Sequence, residues 1–252
     1  PAAEALPNPI GSAPGWWVDR DGSVTVLMPG VPSEMRRMWD EQVVPRLTAR
    51  FALRPVRART IKTFGIGESA LAEMVGDLLE RPGDAVEAGI YAHDDGVHLR
   101  FWTRGESRAL DAPLARALAL LGSAVYGTDD ADLAAVALAA LGAAGATTVA
   151  SREGDTGGTL LSILAASEAA GGARYVGGVL DGGGVPAAPV ADAVIQLSLL
   201  SPDAHGRSRL RVSVSGVATM PMVEVRVHGS GRPGSRRAAY AALDQIRRSF
   251  AT

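Results

Sequence analysis

Hydrophobic and polar positions alternate with a period of two in some stretches of the chain and recur with a helical period in others. Within residues 1–53, the stretch 22–30 (GSVTVLMPG) alternates and is rich in β-branched residues, which predicts a strand. Met35, Met38 and Val43 then share one helical face. A strand followed by an amphipathic helix is therefore predicted for this first segment.

Residues 54–108 carry the pattern of a small β-α-β-β unit. The strand-like stretch RARTIKTFG precedes a run whose apolar residues repeat at i, i+3 and i+4, which predicts a helix. Two further strand-like stretches, AVEAGIYA and GVHLRFWT, flank the Asp-Asp-Gly hairpin signal at 94–96. We therefore predict a compact domain over 54–108, followed by a linker helix over 109–130.

The last segment, residues 131–252, alternates strands and helices around a glycine-rich turn. A predicted strand at 146–152 leads into the turn EGDTGG, then a predicted helix at 158–169 and a strand at 175–180. Three more strand-like stretches and a closing helix follow. The whole pattern predicts a mixed α/β chain with several domains.

The turn EGDTGG lies where an α/β protein usually places a ligand. Gly157 and Gly158 would let backbone N–H groups and a helix N-terminus approach an anion. The same glycines suit a plain strand-to-helix turn with positive φ, and spacing alone favours that simpler interpretation. The spacing matches neither the P-loop nor the dinucleotide fingerprint.

Composition narrows the classes of function. Hydrophobic residues make up 47% of the 252 residues and the net charge is −2, which argues against binding polyanions through bulk charge. Cysteine is absent, which excludes disulfides, thiolate metal sites and cysteine nucleophiles. The apolar runs are shorter than the ~18 residues of a membrane span. We therefore expect no membrane partner and a cytoplasmic location.

Two of the four histidines, His93 and His98, flank the predicted hairpin turn at Asp94 and Asp95. A metal site is conceivable there, but the paired spacings of metal-binding histidines are missing. A solvated hairpin is therefore favoured, and no metal is predicted.

Basic residues cluster on the predicted strand before GIGE and on the closing helix. The stretch GIGE ends in an acid instead of the final glycine of the GXXG clamp of KH domains. Many acidic residues lie in the same segment, so we expect no nucleic-acid partner. Arg236, Arg237, Arg247 and Arg248 are predicted to form the solvated face of the closing helix.

Two Pro-Gly turns flank the first predicted strand. Such rigid loops are typical ligand positions in α/β sheets and equally typical connections. The candidate residues of this segment are Gly11, Pro29, Gly30, Pro32 and Glu34.

Three stretches of the chain resemble the CinA family (competence/damage-inducible protein A). NPIGSAPG…VLMPGVPSEMRRMW is similar to the final third of its nucleotide-binding domain, and TIKTFGIGESALAEMVGDLL…AGIYAHDDGVHLRFW to its KH-like middle domain. DDADLAAVALAALGAAGATTVASREGDTGGTLLSIL looks like its C-terminal domain. The resemblance implies an α+β multi-domain fold, with a partial molybdopterin-binding (MoaB-like) α/β segment over 1–53, a KH-like domain and a three-layer α/β C-terminal domain.

In active relatives the C-terminal domain hydrolyses the amide of nicotinamide mononucleotide through the serine of an E-S-C-T-G-G turn. Here that nucleophile position is Gly154, and the positions of the activating tyrosine and lysine fall on Asp181 and Pro186. Covalent amide hydrolysis needs an attacking group and a base, so the resemblance implies a degenerate deamidase. The remaining ligand-binding candidates of the turn are Glu153, Asp155, Thr156, Gly157 and Gly158.

The family's ADP-ribose pyrophosphatase activity uses loops upstream of Pro1, so we expect an N-terminally truncated chain. Mg²⁺ is expected as a cofactor only if a complete N-terminal domain exists. A nucleotide ligand and a homodimer are the expected partners.

Two alternatives stay open. One is a non-catalytic nucleotide-binding or dimerisation scaffold, with the Ala-rich helices at 109–122 and 130–143 as its interface. The other is an active pyridine-nucleotide hydrolase in which Glu153 and Asp155 hold a metal and its water.

Overall fold

Three β-sheets with their covering helices organise the part of the chain that the structure describes. The structure, a computed structural model, describes these residues: 2–53, 55–167, 172–181, 189–200, 207–228 and 231–250. The chain divides into two units, Pro1–Val56 and Arg57–Thr252. The mixed helix and strand content confirms the predicted α+β multi-domain class.

The first unit is an antiparallel meander followed by helices. Its elements are β1 (Ala2–Leu6), β2 (Gly15–Arg20), β3 (Ser23–Leu27), α1 (Pro32–Met38), a π-helical turn (Trp39–Val43) and α2 (Val44–Phe51). Leu6, Trp17, Met38 and Val43 form its buried core. Pro45 has no N–H to donate to the preceding turn, which accounts for the widened helical turn just before it.

The second sheet has the strand order β5-β6-β4-β7, and every neighbouring pair is antiparallel. Its elements are β4 (Arg57–Thr63), α3 (Glu68–Met74), α4 (Gly76–Glu80), β5 (Val86–His93), β6 (Gly96–Thr103), α5 (Asp111–Leu121) and β7 (Val125–Thr128). Ile61, Leu99 and Phe101 are fully buried with Leu71 and Leu114 of the helices in one core. The helices therefore cover one face of this sheet.

The segment 109–130 contains more than the predicted linker helix. Helix α5 packs into the core of the second sheet, and β7 adds a fourth strand beside β4, with Lys62 opposite Gly127. The structure thus extends the KH-like sheet beyond the predicted boundary at residue 108. Four residues are too few to show a period of their own, so the sequence pattern misses β7.

The third sheet has the strand order β12-β11-β10-β8-β9. Its elements are α6 (Leu133–Ala143), β8 (Thr148–Gly154), α7 (Thr159–Ala166), β9 (Arg174–Leu180), β10 (Ala193–Leu200), β11 (Arg207–Gly216), β12 (Met220–His228) and α8 (Gly231–Ser249). Strand β8 lies between β9 and β10 and is parallel to both, whereas β10, β11 and β12 are antiparallel. The carboxyl end of β8 therefore opens on the turn EGDTGG.

Helix α8 is bonded to the second sheet through arginines that sequence analysis predicted to be solvated. Arg247 donates to the carbonyl oxygens of Ser123 (3.0 Å) and Val125 (3.2 Å). Asp244, only 4% exposed, accepts hydrogen bonds of 2.7 Å from both Arg247 and Arg248. The predicted solvated face is therefore wrong for Arg247, whose backbone partners Ser123 and Val125 lie more than a hundred residues away along the chain.

None of the helices in the described residues combines the length and the apolar character needed to cross a bilayer.

Candidate functional site

The turn EGDTGG joins the carboxyl end of β8 to the start of α7. Asp155, Gly157 and Gly158 have positive φ angles of 60°, 65° and 79°. This left-handed region favours glycine and tolerates aspartate, so the residue types fit the sharp reversal of the chain. The carboxyl edge of neighbouring parallel strands is a usual ligand position in α/β proteins.

Glu153 holds the turn together from below. One of its carboxylate oxygens accepts from the Thr156 hydroxyl (2.6 Å) and the Leu160 N–H (2.9 Å), and the other accepts from the Leu161 N–H (2.5 Å). Glu153 and Thr156 are 1% and 3% exposed. Glu153 thus caps α7 from the preceding strand, a role for which Gly158, the residue before the helix, has no side chain.

The position that the resemblance assigns to the nucleophile is buried and enclosed by oxygens. Gly154 pairs with Ser198 across the parallel strands β8 and β10. A β-carbon built on Gly154 would stand 3.3 Å from the Ser198 hydroxyl oxygen and 3.7 Å from a carboxylate oxygen of Asp181. The structure therefore brings Gly154 and Asp181 together, whereas Pro186 lies outside the described residues.

Asp181 is engaged by its neighbours. Its N–H donates to the Glu153 carbonyl oxygen (2.6 Å), and its carboxylate is 3.1 Å from the Arg152 guanidinium. Both members of this ion pair are part-exposed, so the pair orients Asp181 more than it stabilises the fold.

A cleft of about 610 Å³ lies above the turn. It is lined by Asp155, Thr156, Gly157, Gly158, Thr159, Ser162, Ser235 and Arg236. Arg236 comes from α8 and is held by Asp94 at 2.8 Å. The cleft thus joins the N-terminal end of α7 to a guanidinium, an arrangement that suits an anion.

Two contributors to this site escaped sequence analysis. Ser198 is reached only through the strand order, and Arg236 only through the packing of α8. Neither carries a local motif, so the sequence offers no signal for them beyond the presence of a strand and a helix.

Two of the five N-terminal candidates, Gly11 and Glu34, are brought together through Asn8, which sequence analysis did not single out. The Asn8 amide donates to the Glu34 carboxylate (2.7 Å), and its carbonyl oxygen accepts from the Gly11 N–H (3.0 Å). A β-carbon at Gly11 would overlap both side chains, which explains the glycine. Pro32 begins α1, and Pro29 and Gly30 lie in the preceding connection without contributing to this cluster.

The family model described as the "Damage-inducible protein CinA KH domain" matches residues 58–127. The matched range covers the second sheet almost from the first residue of β4 to the end of β7, together with α3 to α5. The match therefore runs past residue 108, where sequence analysis placed the end of this domain, and stops at residue 127.

Several relatives match a longer part of the chain. A "CinA-like protein" of Thermomicrobium roseum is 48% identical over 176 residues, which are 68% of this chain and 43% of that protein. CinA-like proteins of Deinococcus deserti (39% over 171 residues; 66% and 41%) and Prochlorococcus marinus (41% over 188 residues; 71% and 42%) match similarly.

Among solved structures, a formyltetrahydrofolate deformylase of Burkholderia mallei matches 77% of this chain and 93% of its own, with 13% identity and a TM-score of 0.24. That likeness is too weak to support a conclusion about the fold. The sequence matches are strong enough to assign the family. The chain spans 41–43% of the length of these three relatives, and it belongs to the CinA family.

Proposed function

We propose that this chain binds a nucleotide at the turn between β8 and α7 and does not hydrolyse its amide by covalent catalysis. The observation that carries the proposal is the environment of Gly154. The family resemblance places the attacking serine there, yet the position has no side chain and is buried between Ser198 and Asp181. An acyl intermediate needs an attacking oxygen at that point.

The activating groups are changed as well. The tyrosine and lysine positions of active relatives fall on Asp181 and Pro186. The Asp181 carboxylate is paired with Arg152, so it is already compensated and has no hydroxyl at position 154 from which to take a proton. Loss of nucleophile and base together costs on the order of 10⁶-fold in rate.

Binding is supported by the cleft above the turn. The Arg236 guanidinium and the backbone of Gly157 and Gly158 line it, and guanidinium groups bind phosphate oxygens through charge-assisted hydrogen bonds. Glu153 takes the N–H groups of Leu160 and Leu161, so an anion would use the N–H groups nearer the glycines. The ligand class that fits is a phosphate-bearing pyridine nucleotide.

The same observation weighs against a metal-dependent hydrolase at this turn. Three hydrogen bonds occupy the carboxylate of Glu153, and burial leaves little room for an ion and its water. Asp155 is exposed at the rim and would be the one free carboxylate of the pair.

Calorimetric titration with nicotinamide mononucleotide tests the proposal, with ammonia release measured on the same samples. Arg236→Ala should weaken binding about tenfold or more, because a hydrogen bond to a charged group contributes about 1.5–3 kcal/mol. Arg237→Ala is the matched control, since Arg237 lines a different cavity on the neighbouring side of α8.

Equal affinity in the wild type and Arg236→Ala would show that the nucleotide does not bind in this cleft. No binding of any nucleotide, together with a dimer in light scattering, would favour the scaffold alternative. The ADP-ribose pyrophosphatase activity that the resemblance implies for the whole protein stays a prediction, because this chain spans about two fifths of the length of its relatives.

A further inference from the structure

A second cluster of chemically active side chains lies on the hairpin between β5 and β6. His93 ends β5, Asp95 lies in the turn, and His98 is the third residue of β6. His93 faces Gly96 and Tyr91 faces His98 in the register, so both histidines lie on the same face of the sheet. Their imidazole rings stack with centroids 4.3 Å apart and planes 26° apart.

The hairpin is not solvated throughout, as sequence analysis favoured. The His98 side chain is 9% exposed and that of Asp95 is 24% exposed, whereas His93 is exposed at the strand end. Tyr126 of β7 covers His98 and Asp95, and its hydroxyl is 3.4 Å from His98 Nε2. The sequence could not show this cover, because Tyr126 lies 28 residues beyond His98.

The distances among the three residues are close to those of ligands on one metal ion. His98 Nε2 is 3.2 Å from Asp95 Oδ1. Two ligands on a tetrahedral zinc ion, at bonds of about 2.0–2.1 Å, are ~3.3 Å apart. One ligand atom from each of His93, Asp95 and His98 lies within 4.8 Å of the others. To complete such a set, the exposed His93 ring would have to rotate out of its stack on His98 as well as close the remaining separation of up to 4.8 Å to ~3.3 Å, because an imidazole ligates a metal in its ring plane.

The surroundings orient the carboxylate. One Asp95 oxygen lies 3.2 Å from His98 Nε2, and the other accepts a hydrogen bond of 2.7 Å from the Tyr126 hydroxyl. A hydrogen-bonded partner that fixes a ligating carboxylate is the usual outer shell of a metal site.

We propose that His93, Asp95 and His98 form a binding site for one divalent cation of the zinc class. Two imidazoles and one carboxylate suit Zn²⁺, Co²⁺ or Ni²⁺, whereas Mg²⁺ and Ca²⁺ prefer oxygen ligands. Binding of the ion through His98 Nε2 releases any proton on that nitrogen to solvent, and three protein ligands leave one tetrahedral position open.

The open position has a defined neighbourhood. The three residues line a cleft of about 490 Å³ together with Thr60, Lys62, Tyr91, Arg100 and Asp129. Lys62 and Arg100 bring positive charge to that cleft, which weakens the binding of any cation by repulsion and suits an anionic oxygen as the fourth ligand. The site therefore fits a metal-bound water or an anion rather than a closed structural zinc.

The test is titration of the untagged 252-residue chain, stripped by a chelator, with Zn²⁺ alone. We expect one ion bound per chain, and substitution by Co²⁺ should give the visible absorption of a tetrahedral site. His93→Ala changes an exposed residue, so folding should persist while zinc affinity falls at least 100-fold. Tyr126→Phe should weaken binding by about 10–100-fold, as loss of outer-shell partners does.

Two controls separate this site from adventitious binding. Asp94→Asn changes the same turn outside the ligand set and should leave affinity unchanged. The double variant His205→Gln, His228→Gln removes the other two histidines of the sequence and should also leave it unchanged. Absence of zinc binding by the wild type, equal affinity in His93→Ala, or loss of binding in the double variant would overturn the proposal.

Discussion

The hydroxyl oxygen of Ser198 stands 3.3 Å from the point where a β-carbon on Gly154 would lie, directly across two parallel strands. The carboxylate of Asp181, the residue that follows β9, approaches the same point. The turn therefore keeps its polar enclosure and its buried cap, Glu153, while the residue at its centre offers nothing that can attack a carbonyl.

Replacing Glu153 by glutamine should destabilise the turn and α7. The amide has one acceptor oxygen, so its NH₂ group would face an N–H or hydroxyl donor that the carboxylate now satisfies. We expect the free energy of unfolding to fall by about 1–3 kcal/mol in urea denaturation. The exposed neighbour Asp155 provides the control, because Asp155→Asn should change the free energy of unfolding by less than ~0.5 kcal/mol. Equal losses in the two variants would contradict the capping role.

Asp244→Ala should be among the more damaging changes in α8. It removes the carboxylate that two arginines share and leaves Arg247, 11% exposed, without its countercharge. Breaking a buried pair in this way costs about 3–5 kcal/mol, measured by urea denaturation. Asp77→Ala, in the 77–78% exposed pair with Arg81, should cost less than ~1 kcal/mol. A small effect of Asp244→Ala would show that Arg247 finds sufficient partners in the backbone.

Asp192 should contribute a defined part of the acid sensitivity. Hydrogen bonds from the Thr147 hydroxyl and from the backbone of Thr148 and Thr147 lower its pKa from 3.8 to about 2. Because the folded pKa lies below the unfolded one, this contribution is present above about pH 4 and is lost as the pH falls through 2. A carboxyl NMR titration should place the Asp192 midpoint near 2.

The corresponding variant gives the linkage test. Asp192→Asn should make the free energy of unfolding less dependent on pH between about 4 and 2, with the remaining dependence due to groups such as Asp95. An unchanged slope would mean that Asp192 is equally bonded in the unfolded chain.

Strong local periodicity explains the parts of the fold that could be predicted. The hairpin of β5 and β6, the strand β8 and the closing helix each carry a repeated pattern and clear turn residues, and each is found in the structure. The family resemblance is likewise carried by contiguous stretches. These features need only neighbours in sequence, so a single chain suffices to predict them.

The features that sequence analysis missed depend on contacts between distant residues. The burial of His98 requires Tyr126, and the hydrogen bonds of Arg247 require the backbone around Ser123. Ser198 approaches Gly154 only because β10 pairs with β8. Strand order and helix packing decide these contacts, and neither can be predicted from the local pattern of hydrophobic and polar residues.

Ammonia release from nicotinamide mononucleotide by the purified chain tests the central claim most directly, combined with mass spectrometry of the protein for a covalent acyl adduct. We expect no release above the buffer rate and no adduct, because Gly154 has no attacking group. Clear turnover that is abolished by Ser198→Ala or Asp155→Ala, or an adduct on any side chain of the turn, would contradict the account.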